Sequence, residues 1–524
     1  MKLKLYNTLT RQKEEFIPLM EDPNYKGSKK DFVGIYSCGP TVYRNPSIWN
    51  YRATFTADLI RNTLKLLGYN VKAVMNITDV GHLVSDGDEW EDKLEKGAKR
   101  DWISAWDVAK KYEEVFKTWM KELNIDEFDT MPRATDHIKE QIELVKTLEE
   151  KWYTYTVPWD GIYMDTSKVE NYGELMWPNY KKRLADLNAG ERVDMKWKKN
   201  PTDFALWKFS PENEKRQMER DSPWWLGFPG WHIECSAMSS KYLGEQFDIH
   251  HGGADHITIH HPNEIAQSEC AFGCHPWVKY RVHNEFLQVD GGKMSKSLGN
   301  VYNLEDIKAK WYSPLDLRYF YFMAQYGNFQ NFTWEALKAA KKSRKNLGGS
   351  FRTLKNNLDI SFESNIQDIE QFLEEDDAKS FYASLMDSIA NNMDTPNLLS
   401  KLFAFSNKYS NVSEENATED QHMSFTHYSG DKDKKIIKES LQVIRYFDDN
   451  LLKLGLFEEE EHLIPLDEKY FAEKEKITAL AEQRKQAKLD KNYALADELR
   501  NKIKDMEWEI KDIKEEPGYE ISKI

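Results

Sequence analysis

Along the first hundred positions the apolar residues change period in a way that spells out alternating elements. "FVGIYSC" (32–38) is a short apolar run with charge before it and Gly-Pro after it, which reads as a buried strand. "YRATFTADLIRNTLKLL" (51–67) then places Leu59, Ile60, Leu64 and Leu67 on one side of a helix. Gly68 follows at the position where a left-handed cap is favoured. "NVKAVMNITDV" (70–80) resumes as a strand. Strand, helix, strand predicts a parallel βαβ unit, and therefore an α/β, doubly wound, Rossmann-like sheet. The opening "MKLKLYNTLTRQKEEF" reads as a first strand, and apolar runs at "FDIHHGGAD" and "VKYRVHNEFLQVDGG" return to complete the sheet.

Between these halves the pattern turns to mixed helices and turns rich in Trp, Lys and Pro. The predicted organisation is a Rossmann-like domain over 1–120 and 223–334, interrupted by an inserted domain over 121–222. After about 335 the periodicity is helical, predicting an all-α carboxyl-terminal region: a bundle over 335–468 and a terminal segment over 469–524. "WEALKAAKKSRKNLGG" reads as a basic helix ending at its Gly pair. In "DDAKSFYASLMDSIANNM", Phe381, Leu385 and Ile389 recur at helical spacing. "DTPNLLSKLFAF" reads as a helix with Thr395 as N-cap and Pro396 at its first position. The polar stretch 410–435 reads as a long loop, and "AEQRKQAKLDKNYALADELRNKIKDM" as a charged helical pair.

Composition narrows the class. A chain of 524 residues with 17 tryptophans and 40% hydrophobic residues has material for several cored domains. No run of about 18 apolar residues occurs, so no membrane helix is expected, and the start lacks an apolar signal core. Four cysteines without a CxxC pair argue against a disulfide framework and for a reducing, cytoplasmic setting. The net charge of −15 argues against indiscriminate nucleic-acid binding, though not against a local basic face.

The chemistry-bearing residues gather in three stretches. Cys38 ends a strand at the sheet edge where ligands bind in open α/β folds; it is either a small buried hydrophobe or a ligand. His260 and Glu264, four apart on a helix, project from one face, as a surface pair or as two ligands of one metal ion. With Cys235 of "PGWHIECSAMS" and Cys38 they complete a candidate tetrahedral zinc set. Cys270 and Cys274 read as structural. Finally, "DGGKMSKSLGN" carries Lys293 and Lys296 in a Gly- and Ser-flanked loop suited to closing over a polyphosphate.

"KMSKS" resembles the signature of class I aminoacyl-tRNA synthetases. "CGPTVY", "MNITDVGHL", "DEWEDKLEKGAKR", "PGWHIECSAMS", "HNEFLQVDGGKMSKSLGN" and "NFTWEAL", in this order, resemble the cysteinyl-tRNA synthetase family from the first strand to the final helices. The resemblance implies an enzyme that activates L-cysteine with ATP and Mg2+ and transfers it to the 3′ end of tRNA-Cys. It implies one Zn2+ per chain, on Cys38, Cys235, His260 and Glu264, binding the substrate thiolate. It places Thr78 and Trp231 in the cysteine pocket, Gly252, Gly253 and Asp255 near the nucleotide, and Lys296, assisted by Lys293, on ATP phosphates. A monomer in the cytoplasm, with its final segment on the anticodon, completes the expectation.

One signature departs. The family's HIGH, or HIGN, should follow "CGPTVY" after three residues; this chain has Ser47-Ile48-Trp49-Asn50. Asn50 fits the second version and can donate to a phosphate, while Ser47 replaces a histidine. An indole in place of glycine must either stack with the adenine or displace it, and Trp49 is expected to turn to the pocket wall, with Ser47 and Asn50 still facing the phosphates as catalytic residues. Two other readings share the same residues: a ligase joining cysteine to an amino sugar, and a non-catalytic homologue that senses cysteine or tRNA.

Overall fold

In the computed structural model, residues 1–27, 30–80, 93–176, 197–211, 217–294, 300–363, 366, 369–410, 431–458, 468–506, 508–512 and 519–523 are described. The chain opens with an antiparallel hairpin of β1 (Lys4–Asn7) and β2 (Gln12–Glu15). Next come β3 (Val33–Ser37), α1 (Ile48–Leu66) and β4 (Val71–Met75), with β3 and β4 parallel. Gly68 has φ +85°, so it carries the left-handed turn that closes α1. The helix begins three residues before the apolar pattern does. Ser47 caps it: its hydroxyl oxygen accepts from the Asn50 N–H, and Asn50 Oδ1 accepts from the Ser47 N–H.

α2 (Ala105–Glu122) and α3 (Ile138–Glu150) lead into an antiparallel sheet of β5 (Thr154–Val157), β6 (Gly161–Met164), β7 (Phe204–Phe209) and β8 (Gly227–Pro229). Where the pattern predicts helices and turns, the insertion is therefore built on strands. They escape notice because they are short and, in "GIYM" and "FALWKF", buried at every position, which removes the alternation that marks a strand. This sheet has a core of its own, with Leu144, Ile162, Trp207 and Ile233.

The chain then returns through α4 (Trp231–Leu243), β9 (Phe247–Gly253), α5 (His260–Phe272) and β10 (Val278–Asn284). The four parallel strands lie in the order β10-β9-β3-β4. The chain winds outward from β3 to β4 and, in the other direction, from β9 to β10, so the topological switch falls between β3 and β9. Register sets Ser37 beside His251 and Asn284 beside Gly253, which brings the carboxyl ends of these strands to one edge. That edge is where such sheets bind ligands.

A small sheet of β11 (Leu287–Val289), β12 (Gly292–Lys293) and β13 (Gln330–Phe332) follows, with α6 (Pro314–Phe322) before β13. The helical region comprises α7 (Trp334–Asn357), α8 (Asp376–Ala390), α9 (Thr395–Ser410) and α10 (Asp431–Phe447), the last running into a π-helical turn at Asp448–Leu452. It shares one apolar core with the parallel sheet, from Val33 and Leu64 to Leu402 and Ile444.

Three local expectations change here. α7 continues through its Gly pair, because a Cβ on Gly348 would stand 2.9 Å from the Leu456 carbonyl oxygen, and glycine lets that segment pack on the helix. Asp394, not Thr395, caps α9: its carboxylate accepts from the Asn397 N–H at 3.2 Å. The polar stretch read as loop to 435 is already helical from Asp431. The terminal segment has the expected helical pair, α11 (Glu468–Leu489) and α12 (Tyr493–Asp505). It then adds a hairpin of β14 (Trp508–Asp512) and β15 (Tyr519–Lys523), which buries Trp508 and Ile510 against Ile477 and Ile503.

Candidate active site

The loop after β3 approaches the end of β4 closely. A Cβ on Gly39 would lie 1.6 Å from the Asn76 carbonyl oxygen, so only glycine can follow Cys38 here. The Asn76 side chain accepts from the Gly39 N–H (2.9 Å), and Thr78 N–H donates to the Pro40 carbonyl (3.0 Å). Cys38 and Thr78 are thereby fixed on one wall. α4 and α5 supply the other, because both begin beside the sheet edge.

Cys38, Cys235, His260 and Glu264 meet there, with one potential ligand atom from each lying within 4.8 Å of every other. His260 Nε2 is 2.8 Å from Glu264 Oε1 and 3.6 Å from Cys235 Sγ, and Cys38 Sγ is 3.9 Å from Glu264 Oε1. Helical i,i+4 geometry on α5 aligns the imidazole with the carboxylate. Their remaining atoms are held from behind: His260 Nδ1 faces His232 Nδ1 at 2.9 Å, and Glu264 Oε2 faces His250 Nε2 at 2.7 Å. Such outer partners orient metal ligands. Two sulfurs, one imidazole nitrogen and one carboxylate oxygen, all converging in a buried setting, fit a tetrahedral metal site.

The four groups are tightly coupled electrostatically, and a metal ion would have to displace the protons that His260 and Cys235 hold. Burial opposes ionisation of Glu264, but His260 and His250 outweigh it and hold the carboxyl well below its usual range. Burial likewise disfavours the charged form of His260, and the Glu264 carboxylate overcomes it, lifting the imidazolium to about 10. The two thiols divide their roles. Burial pushes Cys38 up, yet the hydrogen bond from Cys235 carries it well below an ordinary thiol, while that same bond raises Cys235. A second group, Cys38, His250, His261 and Glu264, is equally close, but it shares two members with the first and contains one sulfur. His250 and His261 were not among the residues singled out from sequence; the repeated His-His pairs at 250–251 and 260–261 were the available signal.

Above this cluster lies a cavity of about 350 Å³, lined by Cys38, Thr78, Trp231, Cys235, Asp255 and His260, and extending past Tyr43, Arg44 and Asn50. Trp231 stacks on the His260 ring with centroids 4.0 Å apart. Thr78 Oγ1 donates to the buried Glu234 at 3.0 Å. Gly252 and Gly253 close β9, and a Cβ on Gly253 would lie 2.3 Å from Asp255 Oδ1. Asn50 lines the cavity, with its Oδ1 held by the Ser47 hydroxyl at 2.8 Å, so its amide nitrogen is the end available to a ligand. Ser47 itself is buried in the helix cap. The first turn of α1 also touches the segment after the Lys293 loop, through Ile48 N–H to the Tyr302 carbonyl (2.9 Å). Lys296 lies outside the described residues, as does the side chain of Lys293, whose backbone belongs to β12.

Comparison with known proteins decides what this edge belongs to. The family described as "tRNA synthetases class I (C) catalytic domain" matches residues 24–342. The chain is 39% identical over 516 residues to the cysteine–tRNA ligase of Treponema denticola, covering 97% of each. The chain belongs to the cysteinyl-tRNA synthetase family. A second relative, the cysteine–tRNA ligase of Finegoldia magna, is 37% identical over 524 residues, covering 99% of this chain and 100% of that one. Cysteine–tRNA ligase 1 of Burkholderia lata is 48% identical over 344 residues, 65% of this chain and 70% of its own. Among solved structures, a Mycobacterium tuberculosis methionyl-tRNA synthetase in complex with methionyl-adenylate has the same fold, with a TM-score of 0.54 at 15% identity over 82% of this chain and 92% of that one. Family membership accounts for the parallel sheet with an antiparallel insertion and a helical carboxyl-terminal region. No described helix is long and apolar enough to cross a membrane.

Proposed function

We propose that the chain is a zinc-dependent cysteine–tRNA ligase, AMP-forming and acting as a cytoplasmic monomer. The observation that carries this is the buried thiol, imidazole and carboxylate cluster at the floor of the cavity. Cys38, Cys235, His260 and Glu264 would hold Zn2+. When bound, the ion supplies a Lewis-acid centre that takes the substrate side chain as a thiolate, and a hydroxyl is a much poorer ligand for it. Serine would be refused at this step, which an apolar pocket alone does badly.

Thr78 and Trp231 bound the cysteine on two sides, with Trp231 fixed by its stack on His260. The cysteine carboxylate attacks the α-phosphate of ATP in line, releasing pyrophosphate and leaving cysteinyl-adenylate. The 3′-terminal ribose hydroxyl of tRNA-Cys then attacks the adenylate carbonyl, and AMP departs. No covalent protein nucleophile is required; positioning and charge stabilisation suffice. Gly252, Gly253 and Asp255 border the nucleotide. The Asn50 amide donates to the triphosphate at the amino end of α1, where the helix dipole favours anions, and Ser47 acts through the cap that orients Asn50. Lys293 and Lys296 close on the phosphates, with Mg2+ accompanying ATP.

Cysteine-dependent exchange of pyrophosphate into ATP, followed by charging of a tRNA-Cys transcript, tests the proposal. Transfer to an amino sugar in place of tRNA, or cysteine binding without exchange, would overturn it. Lys296→Ala should slow exchange by about 10²–10³-fold while leaving cysteine affinity nearly unchanged, because the lysine meets charge that develops on the phosphates. A main effect on cysteine affinity would contradict that role.

A further inference from the structure

Trp49 occupies the second position of α1, after Ser47 as cap and Ile48. Its indole stacks on Phe286, with ring centroids 5.3 Å apart and planes within 16°. It also lies against the end of β9, since a Cβ on Gly253 would be 3.2 Å from Trp49 Cζ2. The indole is half-buried and packs on the core from its edge. Phe286 is braced in turn by a residue of the same helix. Arg52, fully buried, donates from Nη1 to the carbonyls of Glu285 (2.6 Å) and Phe286 (2.8 Å), and from Nη2 to that of Asn328 (2.6 Å). Trp49 and Arg52 are three apart, so they share a face of α1 and grip the 285–286 turn from two sides. The ring is thus held in place. It does not enter the lining of the cavity, whereas its neighbour Asn50 and nearby Asp255 do. Trp49 therefore leaves the cysteine pocket open while presenting an aromatic surface beside Gly253, where the ligase reading puts the nucleotide.

We propose that Trp49, braced by Phe286, is the surface on which the purine of ATP stacks, in place of the close backbone approach that a glycine at this position would allow. The inference rests on the ligase reading above. Base–aromatic stacking is sequence-tolerant and strong enough to set nucleotide affinity. A rigid platform adds to it by losing little freedom on binding.

The test is cysteine-dependent pyrophosphate exchange by Trp49→Phe, Trp49→Leu and Trp49→Ala, with KM measured separately for ATP, pyrophosphate and cysteine. Trp49→Leu and Trp49→Ala should raise KM for ATP about 10-fold, and Trp49→Phe by no more than about 3-fold. KM for pyrophosphate and for cysteine should stay unchanged, since neither substrate carries a base; a merely structural role for the indole would move all three. Phe and Leu differ little in bulk, so the contrast between them isolates the aromatic face, and thermal melts confirm that each variant is folded. Equal ATP affinity in the Phe and Leu variants would overturn the inference. So would tighter ATP binding on removing the indole, which would mark it as an obstruction. Absence of exchange in the unaltered protein would instead overturn the ligase reading itself.

Discussion

Zinc should fall from one per chain to nearly none in Cys235→Ala and His260→Ala, and cysteine-dependent exchange should fall with it by about 10³-fold or more. The expectation follows from the geometry: each of these residues offers one of four atoms that converge within 4.8 Å. A structural or catalytic zinc site with three of four ligands loses much of its affinity, and a metal centre is worth several kcal/mol to the reaction it supports. Loss of His232, which faces His260 Nδ1 and would reach a bound metal only through it, should weaken zinc by about 10–100-fold without abolishing it. Because the thiols must lose their protons to bind, zinc uptake should release protons and weaken as pH falls. Cys270→Ser is the control: that thiol stands apart from the cluster, and burial raises it to about 11. Elemental analysis of the purified variants decides the matter. Full zinc retention in both Cys235→Ala and His260→Ala would exclude this ligand set.

The parallel sheet and the convergence of the four candidate ligands were both open to sequence reading, for different reasons. β3, α1 and β4 announce themselves because burial follows a simple period, and Gly68 marks its own turn. Cys38, Cys235, His260 and Glu264 are rare residue types whose chemistry limits what they can do together, and the family's ordered motifs fixed their grouping. The insertion was opaque because fully buried short strands do not alternate. The final hairpin was opaque because "WEIKD" and "YEISK" sit in a charge-rich context that reads as helix. Tertiary contact overrode local propensity at Gly348, where the nearby Leu456 backbone explains a glycine that sequence alone reads as a stop. The contacts of His232 with His260 and of His250 with Glu264 were hidden for a third reason: they are defined by the side-chain atom that each faces, and no spacing in the chain records that.

Arg318→Met should destabilise the protein by about 3–5 kcal/mol, the range for breaking a buried, hydrogen-bonded charge network. Arg318 lies on α6 and is fully buried. Its Nη2 reaches Asp58 on α1 at 3.1 Å and the Leu451 carbonyl at 3.1 Å. Its Nε donates to the Leu452 carbonyl at 2.6 Å, and Nη1 donates to those of Leu123 (3.0 Å) and Asn124 (3.2 Å). One guanidinium therefore ties the helix that begins at the candidate nucleotide site to the turn after α2 and to the π-helical turn of the helical region. Asp58 would keep Arg61 at 2.5 Å and Asn62 at 3.0 Å, so the cost falls on the four carbonyls rather than on an orphaned carboxylate. Each buried acceptor left without a donor costs about 1–3 kcal/mol, and partial relaxation brings the sum into the stated range. Arg318→Lys should rescue little, because an ammonium cannot span partners on three sides as the planar fork does. The readouts are the urea midpoint and the amide protection of Leu454 and Leu456, whose N–H groups donate to the buried Asp448 beside this junction. In a urea series tRNA charging should fail before pyrophosphate exchange, since only the first needs the helical region held against α1. A midpoint equal to that of the unaltered protein, with protection at Leu454 and Leu456 unchanged, would show that the junction is held by apolar packing alone.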